Sequence, residues 1–540
     1  MEDSKVRNKF SQGTMIDLVK RNIHLNWSNP LNMKQAIVIF SICVLPFISC
    51  SKKKVNSGTN VSKDSTTLNS DGFPGVPQSS VYEVTITEGG RKKKMAVFES
   101  DCPVYDPGFM NMDPKDAYPL GIFKGRSISW ANFSIDGSVQ VEVKVLDENR
   151  VPLAGTVKIL PSRYGITPAI NGNIITFTID KPGQFSVEIG NNGYKNGLMI
   201  FANPAETDIP DTITQNYAVI HHGTEDIMNS LSSSYSGIYF KKGVHSIGVY
   251  HVPANIKNIY FEDSSWVYGA LIMDGNPGVK IFGRGVLSSA KLNYRESHCV
   301  EAINQSDNID LEGIVIADQK FFAVRLIGKN NIVKWIKTIG GWTYNCDGIA
   351  AYEGSTISNC FVWANDDNLK IYKDNISISN CVCWQLNNGG IFQLSWGNGN
   401  STNVNISHID ILHAEWNNDQ VNRGIVSCVG DKFAVGGMYG LQQNFLFDDV
   451  ITETAVPLVF RLSPNAASPD EIHGMIFKDW QIKMDMSKGF GNYIICSDPS
   501  KKFDGLVFDN FIFNGTKLTS SNWISVGNFQ VENIIAPQFK

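Results

Sequence analysis

At 540 residues the chain is too long for one compact core and suits an extended repeat fold joined to a smaller domain. Charged residues make up 18% and the formal net charge is −5, which excludes a strong electrostatic pull towards nucleic acid or an anionic membrane. That balance fits a neutral substrate better than a polyanion, and 11% aromatics with abundant Gly, Ser and Asn point to a β-rich extracytoplasmic protein with many turns.

The first element in chain order is an address. Met33-Lys34-Gln35 leads into an apolar run from Ala36 to Ile48 that ends at Ser49-Cys50. The run has the length of a signal-peptide core and is too short to span a bilayer. Ser51-Lys52-Lys53-Lys54 follows, and the whole resembles a bacterial lipoprotein signal, which implies export and a lipid on Cys50. Phe47 sits where such signals usually carry Leu. Ordinary cleavage and secretion is the alternative. Residues 1–32 read as an overlong start ahead of Met33. Residues 51–78 lack an apolar period and read as a flexible tether.

From 79 to 205 alternating strands dominate. Val139-Gln140-Val141-Glu142-Val143-Lys144-Val145 places every second residue on an apolar face, and turn signals such as Lys181-Pro182-Gly183 separate the runs. This spacing predicts a β-sandwich. Over 206–540 the pattern changes to short apolar strand couplets recurring with a period in the twenties. Examples are Thr356-Ile357-Ser358-Asn359-Cys360-Phe361-Val362-Trp363 and Ile376-Ser377-Ile378-Ser379-Asn380-Cys381-Val382-Cys383-Trp384. Each couplet bends at Asn, Asp or Gly, residues that tolerate the left-handed conformation. Such units bury a face only by stacking, so the predicted fold is all-β: an N-terminal β-sandwich followed by a right-handed parallel β-helix. Cys360, Cys381 and Cys383 read as an apolar stack inside that helix, with a disulfide as the alternative. No Cys or His pair sits at zinc-ligand spacing.

Candidate chemistry gathers between Trp342 and Trp396. Tyr344-Asn345-Cys346-Asp347-Gly348 is followed about one coil later by Trp363-Ala364-Asn365-Asp366-Asp367-Asn368-Leu369-Lys370. Parallel strands lie about 4.8 Å apart, so Asp347 and the Asp366-Asp367 pair are expected on one face of neighbouring coils. Like charges at that distance raise at least one pKa, and a carboxyl protonated beside an ionised one is what glycosidic cleavage requires. A calcium site, or bends that merely cluster, is the plainer alternative. Adjacent residues in a regular strand face opposite sides, so Asp366 and Asp367 serve one site only if the strand bends there. Aromatic rings offer flat platforms for the CH faces of sugars. Trp342, Tyr344, Tyr352, Trp363 and Trp396 are candidate sugar contacts on that ground, while Trp384 is expected to fill the core. Lys370 and the uncharged Gln385, Asn387, Asn388 and Gln393 complete the predicted polar lining.

Asn345-x-Asp347-Gly348 followed by Asp366-Asp367 resembles the polysaccharide-hydrolysing β-helix enzymes of the polygalacturonase clan. Together with Asn365-Asp366-Asp367-x-x-Lys370 it most resembles glycoside hydrolase family 49, which contains dextranases and isopullulanases. The similarity runs over about 80–540 and is strongest from 340 to 400. It implies Asp366 as general acid, Asp347 and Asp367 holding or activating water, and inversion at the anomeric carbon. The Gly-His-Gly and Arg-x-Lys segments that grip uronates in polygalacturonases are missing: the corresponding coil reads Asn387-Asn388-Gly389-Gly390-Ile391-Phe392-Gln393. A neutral α-glucan, with dextran first, is therefore the expected substrate of a monomer that needs no metal or cofactor. Pullulan, a pectin-like or an algal glycan are alternative substrates. A non-catalytic glycan-binding β-helix and a lyase are alternatives of another class.

Overall fold

The computed structural model describes residues 75–103, 123–394, 399–419, 422–429, 440–463 and 471–540. The expected leader, Cys50, most of the tether and Trp396 lie outside the described residues.

The strands Tyr82–Pro204 form two five-stranded sheets packed face to face. In the outer sheet Val139–Val145 alternates as its sequence does, with Val139, Val141, Val143 and Val145 buried and the residues between them turned outward. The inner sheet behaves differently. Its strand Asn196–Pro204 is buried from Gly197 to Asn203, and Gly183–Ile189 is buried throughout. Leu198 and Ile200 face the outer sheet, while Met199 and Phe201 face the second domain. A sheet covered on both faces has no polar side to present, which explains the unbroken run Gly197-Leu198-Met199-Ile200-Phe201-Ala202.

From Tyr217 to Phe539 the chain winds into a parallel β-helix of thirty strands among the described residues. Each strand pairs in parallel with the equivalent strand of the next coil, apart from one short antiparallel pair near the end, Ile512–Phe513 with Thr516–Lys517. Register keeps like above like. One inner row runs Val333, Ile357, Ile378, Ile406, Phe447, Phe477, Phe508, all in the core. Two corners turn on single left-handed residues. At one stand Gly313, Trp335, Asn359, Asn380, His408, Asp449, Asp479 and Asn510 in successive coils. At the other, Asn375, Asn403 and Asn444 also join side chain to side chain, each at 3.3 Å. Asn and Gly supply the positive φ at low steric cost, and a stacked Asn side chain also meets the polar atoms of its neighbour. Cys360, Cys381 and Cys383 lie buried in this core as free thiols.

The sandwich packs along the flank of the helix. Trp342, Trp363 and Trp384, one per coil, stack on the outer wall with ring centroids 5.1 and 4.6 Å apart and meet Ile128, Trp130, Met199 and Phe201. Trp384 therefore fills a core, but the one between the domains. Ionic contacts border the stack: Arg126 grips Glu415 at 2.6 and 3.0 Å, and Arg163 reaches Asp410 and Asp449, each at 2.7 Å. Trp384 also donates from Nε1 to Glu415 at 2.8 Å. Trp384→Ala should cost about 3–5 kcal/mol and lower the thermal unfolding midpoint. An unchanged melting curve would show that the domain interface contributes little to stability.

Candidate active site

The three carboxylates stand at corners. Asp347 precedes the strand Ile349–Ala351, and Asp366 and Asp367 lie between Phe361–Ala364 and Leu369–Ile371. Because the chain turns between those strands, the two adjacent aspartates are freed from the opposite-face rule. Main-chain bonds fix the stacking: Gly348 N–H donates to the Asp367 carbonyl at 2.9 Å, and Asn368 N–H to that of Gly390 at 2.9 Å. Gly348 and Gly389 are needed sterically. A Cβ on Gly348 would lie 2.3 Å from the Asn368 carbonyl oxygen, and one on Gly389 would lie 2.3 Å from the Asp367 nitrogen. Gly389 also adopts φ +71°. Beside them an asparagine ladder holds four coils in line. Asn365 donates to the Trp342 carbonyl, and the Oδ1 atoms of Asn365 and Asn387 accept from the backbone N–H of Asn387 and Asn417.

The carboxylates converge so that one oxygen from each lies within 4.8 Å of the others. All three are buried, and Asp366, at 5% exposure, is the most open. Lys370 enters the cluster from the strand behind it. Its ammonium touches Asp347 Oδ2, lies 2.6 Å from Asp367 Oδ2 and sits 4.6 Å from the centre of the Phe322 ring. Burial works against that charge, but Asp347 and Asp367 overcome it and hold Lys370 well above the ordinary lysine range. Burial pushes Asp347 up, against the pull of the same ammonium. No cation among the described residues forms an ion pair with Asp366, and Lys370 acts on it only at longer range. The donors to Asp366 are neutral: Asn345 N–H at 3.0 Å and Asn388 Nδ2 at 2.7 Å on Oδ2, and Asp367 N–H at 3.0 Å on Oδ1. Burial and the Asp367 charge push its pKa up to about 7. Asp366 thus stands apart from the ammonium that bridges Asp347 and Asp367. Asp347 Oδ1 is buried with no hydrogen-bond partner, whereas both Asp367 oxygens are engaged, by Gly390 N–H, Asn422 and Lys370.

The predicted lining divides. Asn388 stands at the cluster on Asp366, and Tyr344 is half-buried near the three charges, which together with burial raise its pKa. Tyr352 is half-buried and meets Tyr372 edge to face. Trp342 and Trp363 are not sugar contacts: they are 2% and 0% exposed beneath the sandwich. Gln385, Asn387 and Gln393 are buried and bonded to backbone groups. Lys370, expected to reach substrate, is locked between two carboxylates. The structure adds Tyr294, whose hydroxyl donates to Asn345 Oδ1 at 2.9 Å, with Phe322 and Asn422. Phe321-Phe322 lies one coil before Asp347, so coil counting could have found it; Asn422 follows a longer excursion that breaks the period.

The Lys370 geometry makes a prediction. Lys370→Met keeps the stem and removes the charge, leaving Asp347 and Asp367 to repel, so one holds a proton to higher pH. Turnover should fall about 10²-fold or more, and the acidic limb of the kcat/KM profile should move towards neutral pH. A lysine serving only as filler would leave that limb in place.

No family profile matches the chain. A dextranase from Arthrobacter globiformis is 27% identical over 408 residues, covering 63% of each sequence, so the chain spans about 63% of the length of that relative. A dextranase from Talaromyces minioluteus is 23% identical, covering 76% of this chain and 77% of its own. An isopullulanase from Aspergillus niger is 22% identical over 50% of this chain and 54% of its own. Among solved structures, Dex49A from Penicillium minioluteum superposes with a TM-score of 0.69 at 18% identity, covering 86% of this chain and 95% of its own, and shares the fold. The chain is thus similar in sequence to dextranases and an isopullulanase and shares its fold with Dex49A.

Proposed function

We propose that the chain is a glycoside hydrolase that cleaves internal α-1,6 bonds of dextran. The observation that carries this reading is Asp366: a buried carboxyl pushed up to about 7, beside two carboxylates that share one buried ammonium. Its proton passes to the glycosidic oxygen as the bond to the anomeric carbon breaks, and its place as the most open of the three suits that transfer. Water attacks the oxocarbenium-like carbon and yields its proton to Asp347, whose Oδ1 has a lone pair to spare. Asp367, with both oxygens occupied, holds the Lys370 clamp, and its charge helps Asp366 keep its proton. The relatives named dextranase and the missing uronate-binding segments support a neutral α-glucan.

The reading is tested by incubating the protein with dextran, pullulan and polygalacturonate and following the first product by proton NMR. Dextran should be cut internally with the β-anomer released first. Oligogalacturonates with dextran untouched would overturn the substrate. The α-anomer first would replace single displacement by a covalent intermediate.

The pH dependence has a definite sign. The acid acts only when protonated, so kcat/KM should decline as pH rises through about 7. Asp366→Asn should lower turnover on the polymer by about 10²–10⁴-fold and abolish that alkaline limb, with less loss on substrates carrying an activated leaving group. Near-normal turnover on dextran would remove Asp366 from the acid role.

A further inference from the structure

Tyr294 belongs to no strand. It stands in the turn between the strands Val286–Ser288 and Val300–Ile303, at the same corner of the solenoid as the carboxylates, two coils before Asn345 and three before Asp366. This turn is longer than the one in the next coil, which runs only from Asp318 to Ala323, and the extra length carries it across that coil. Its backbone is pinned on the way. Arg295, at φ +58°, donates its N–H to the Lys320 carbonyl at 3.0 Å, and its guanidinium lies 5.1 Å from the centre of the Phe321 ring. The Glu296 carboxylate accepts from Asn293 N–H and Nδ2, each at 2.7 Å.

The hydroxyl so placed donates to Asn345 Oδ1 at 2.9 Å, and Asn345 N–H in turn donates to Asp366 Oδ2 at 3.0 Å. Asn345 holds φ +60°. Asparagine reaches that left-handed conformation at modest cost but has others open to it, so a bond on its side chain selects the one that aims the N–H. A peptide N–H directed at a carboxylate favours the ionised form, and the Asn345 donor works in that sense against burial and the Asp367 charge. Burial raises the Tyr294 pKa above its ordinary value, so the hydroxyl stays a donor at neutral pH. Arg295, Cys346 and Tyr344 also face Tyr294. Around Asp366 the remaining groups are Asp367 and Asp347, Lys370 at longer range, the Tyr344 hydroxyl, and the Asp367 N–H and Asn388 donors.

We propose that Tyr294 is a positioning residue for the acid: through Asn345 it aims a peptide N–H at Asp366 and so sets how readily that carboxyl gives up its proton. A buried carboxyl among like charges holds its proton too tightly to be a good donor, and the relay draws it back towards the range where it keeps a proton near neutrality and still releases it. The consequence for turnover rests on the acid role proposed above for Asp366; the relay itself does not.

The test is a double-mutant cycle of Tyr294→Phe and Asn345→Gly with two readouts. Asn345→Gly keeps the N–H and the left-handed turn and removes the side chain that Tyr294 holds. Ionisation of Asp366 is followed by infrared titration of the protonated-carboxyl band that Asp366→Asn lacks, and kcat/KM on dextran is followed against pH. Tyr294→Phe should move both the infrared midpoint and the alkaline limb upward by about half to one pH unit. It should lower kcat about threefold with KM little changed. In the Asn345→Gly background the same substitution should add no shift, because its route is already cut. A tyrosine that only fills the turn would leave the infrared midpoint in place, since phenylalanine fills the same space, and that result would overturn the proposal. A full shift in the Asn345→Gly background would overturn it as well, because Tyr294 would then act without Asn345. An infrared shift with the alkaline limb unmoved would uphold the relay and count against Asp366 as the acid. If the wild-type protein fails to cut dextran, the function proposed above fails, and the infrared cycle by itself decides the relay on the same two outcomes.

Discussion

Every coil of this solenoid must turn its corners without losing register, because the edge of each strand is satisfied only by the coil above and below it. The single left-handed residue is the device that does so. Where Asn359, Asn380, His408, Asp449 and Asp479 recur at one azimuth, the chain changes direction in one residue and the next strand falls onto its partner. The inner row from Val333 to Phe508 follows from that regularity, since stacking with fixed register places an apolar side chain over an apolar side chain each time.

The candidate active centre is an adaptation of the same corners. Asp347, Asp366 and Asp367 occupy turns on two stacked coils, so backbone bonds set for stacking also set the spacing of the carboxylates. Bringing three of them within 4.8 Å and burying them would be prohibitive if all were charged and alone. Two features relieve the cost: burial and the Asp367 charge raise the Asp366 pKa to about 7, and one ammonium, Lys370, lies between the other two. In the mechanism proposed here the same relief separates the roles, Asp366 donating a proton and Asp347, held by the ammonium, accepting one.

The sandwich bears on this centre indirectly. Its inner sheet covers Trp342, Trp363 and Trp384, each only a few residues before a member of the site. Ser100 accepts from Trp342 Nε1 at 2.9 Å, and Arg126 holds Glu415, two residues before Asn417 in the asparagine ladder. The N-terminal domain thus braces the wall from which the carboxylate corners project.

Much of this was legible in the residues themselves. The alternation of Val139–Val145, the couplets around Asn359 and Asn380 and the spacing from Asp347 to Asp366 are local patterns, and local patterns set strand, bend and coil period because backbone sterics and side-chain alternation act over a few residues. What the residues did not reveal was which side of a strand would face another domain. Trp342 and Trp363 read as sugar platforms because an aromatic residue on an outer face looks the same whether sugar or a second sheet covers it. Lys370 read as a substrate contact because only the fold places its ammonium against Asp347, 23 residues away. The short-range pattern determined the solenoid and the aspartates that meet; the packing of one domain on another, and the partner each buried charge receives, are long-range outcomes that only the tertiary structure decided.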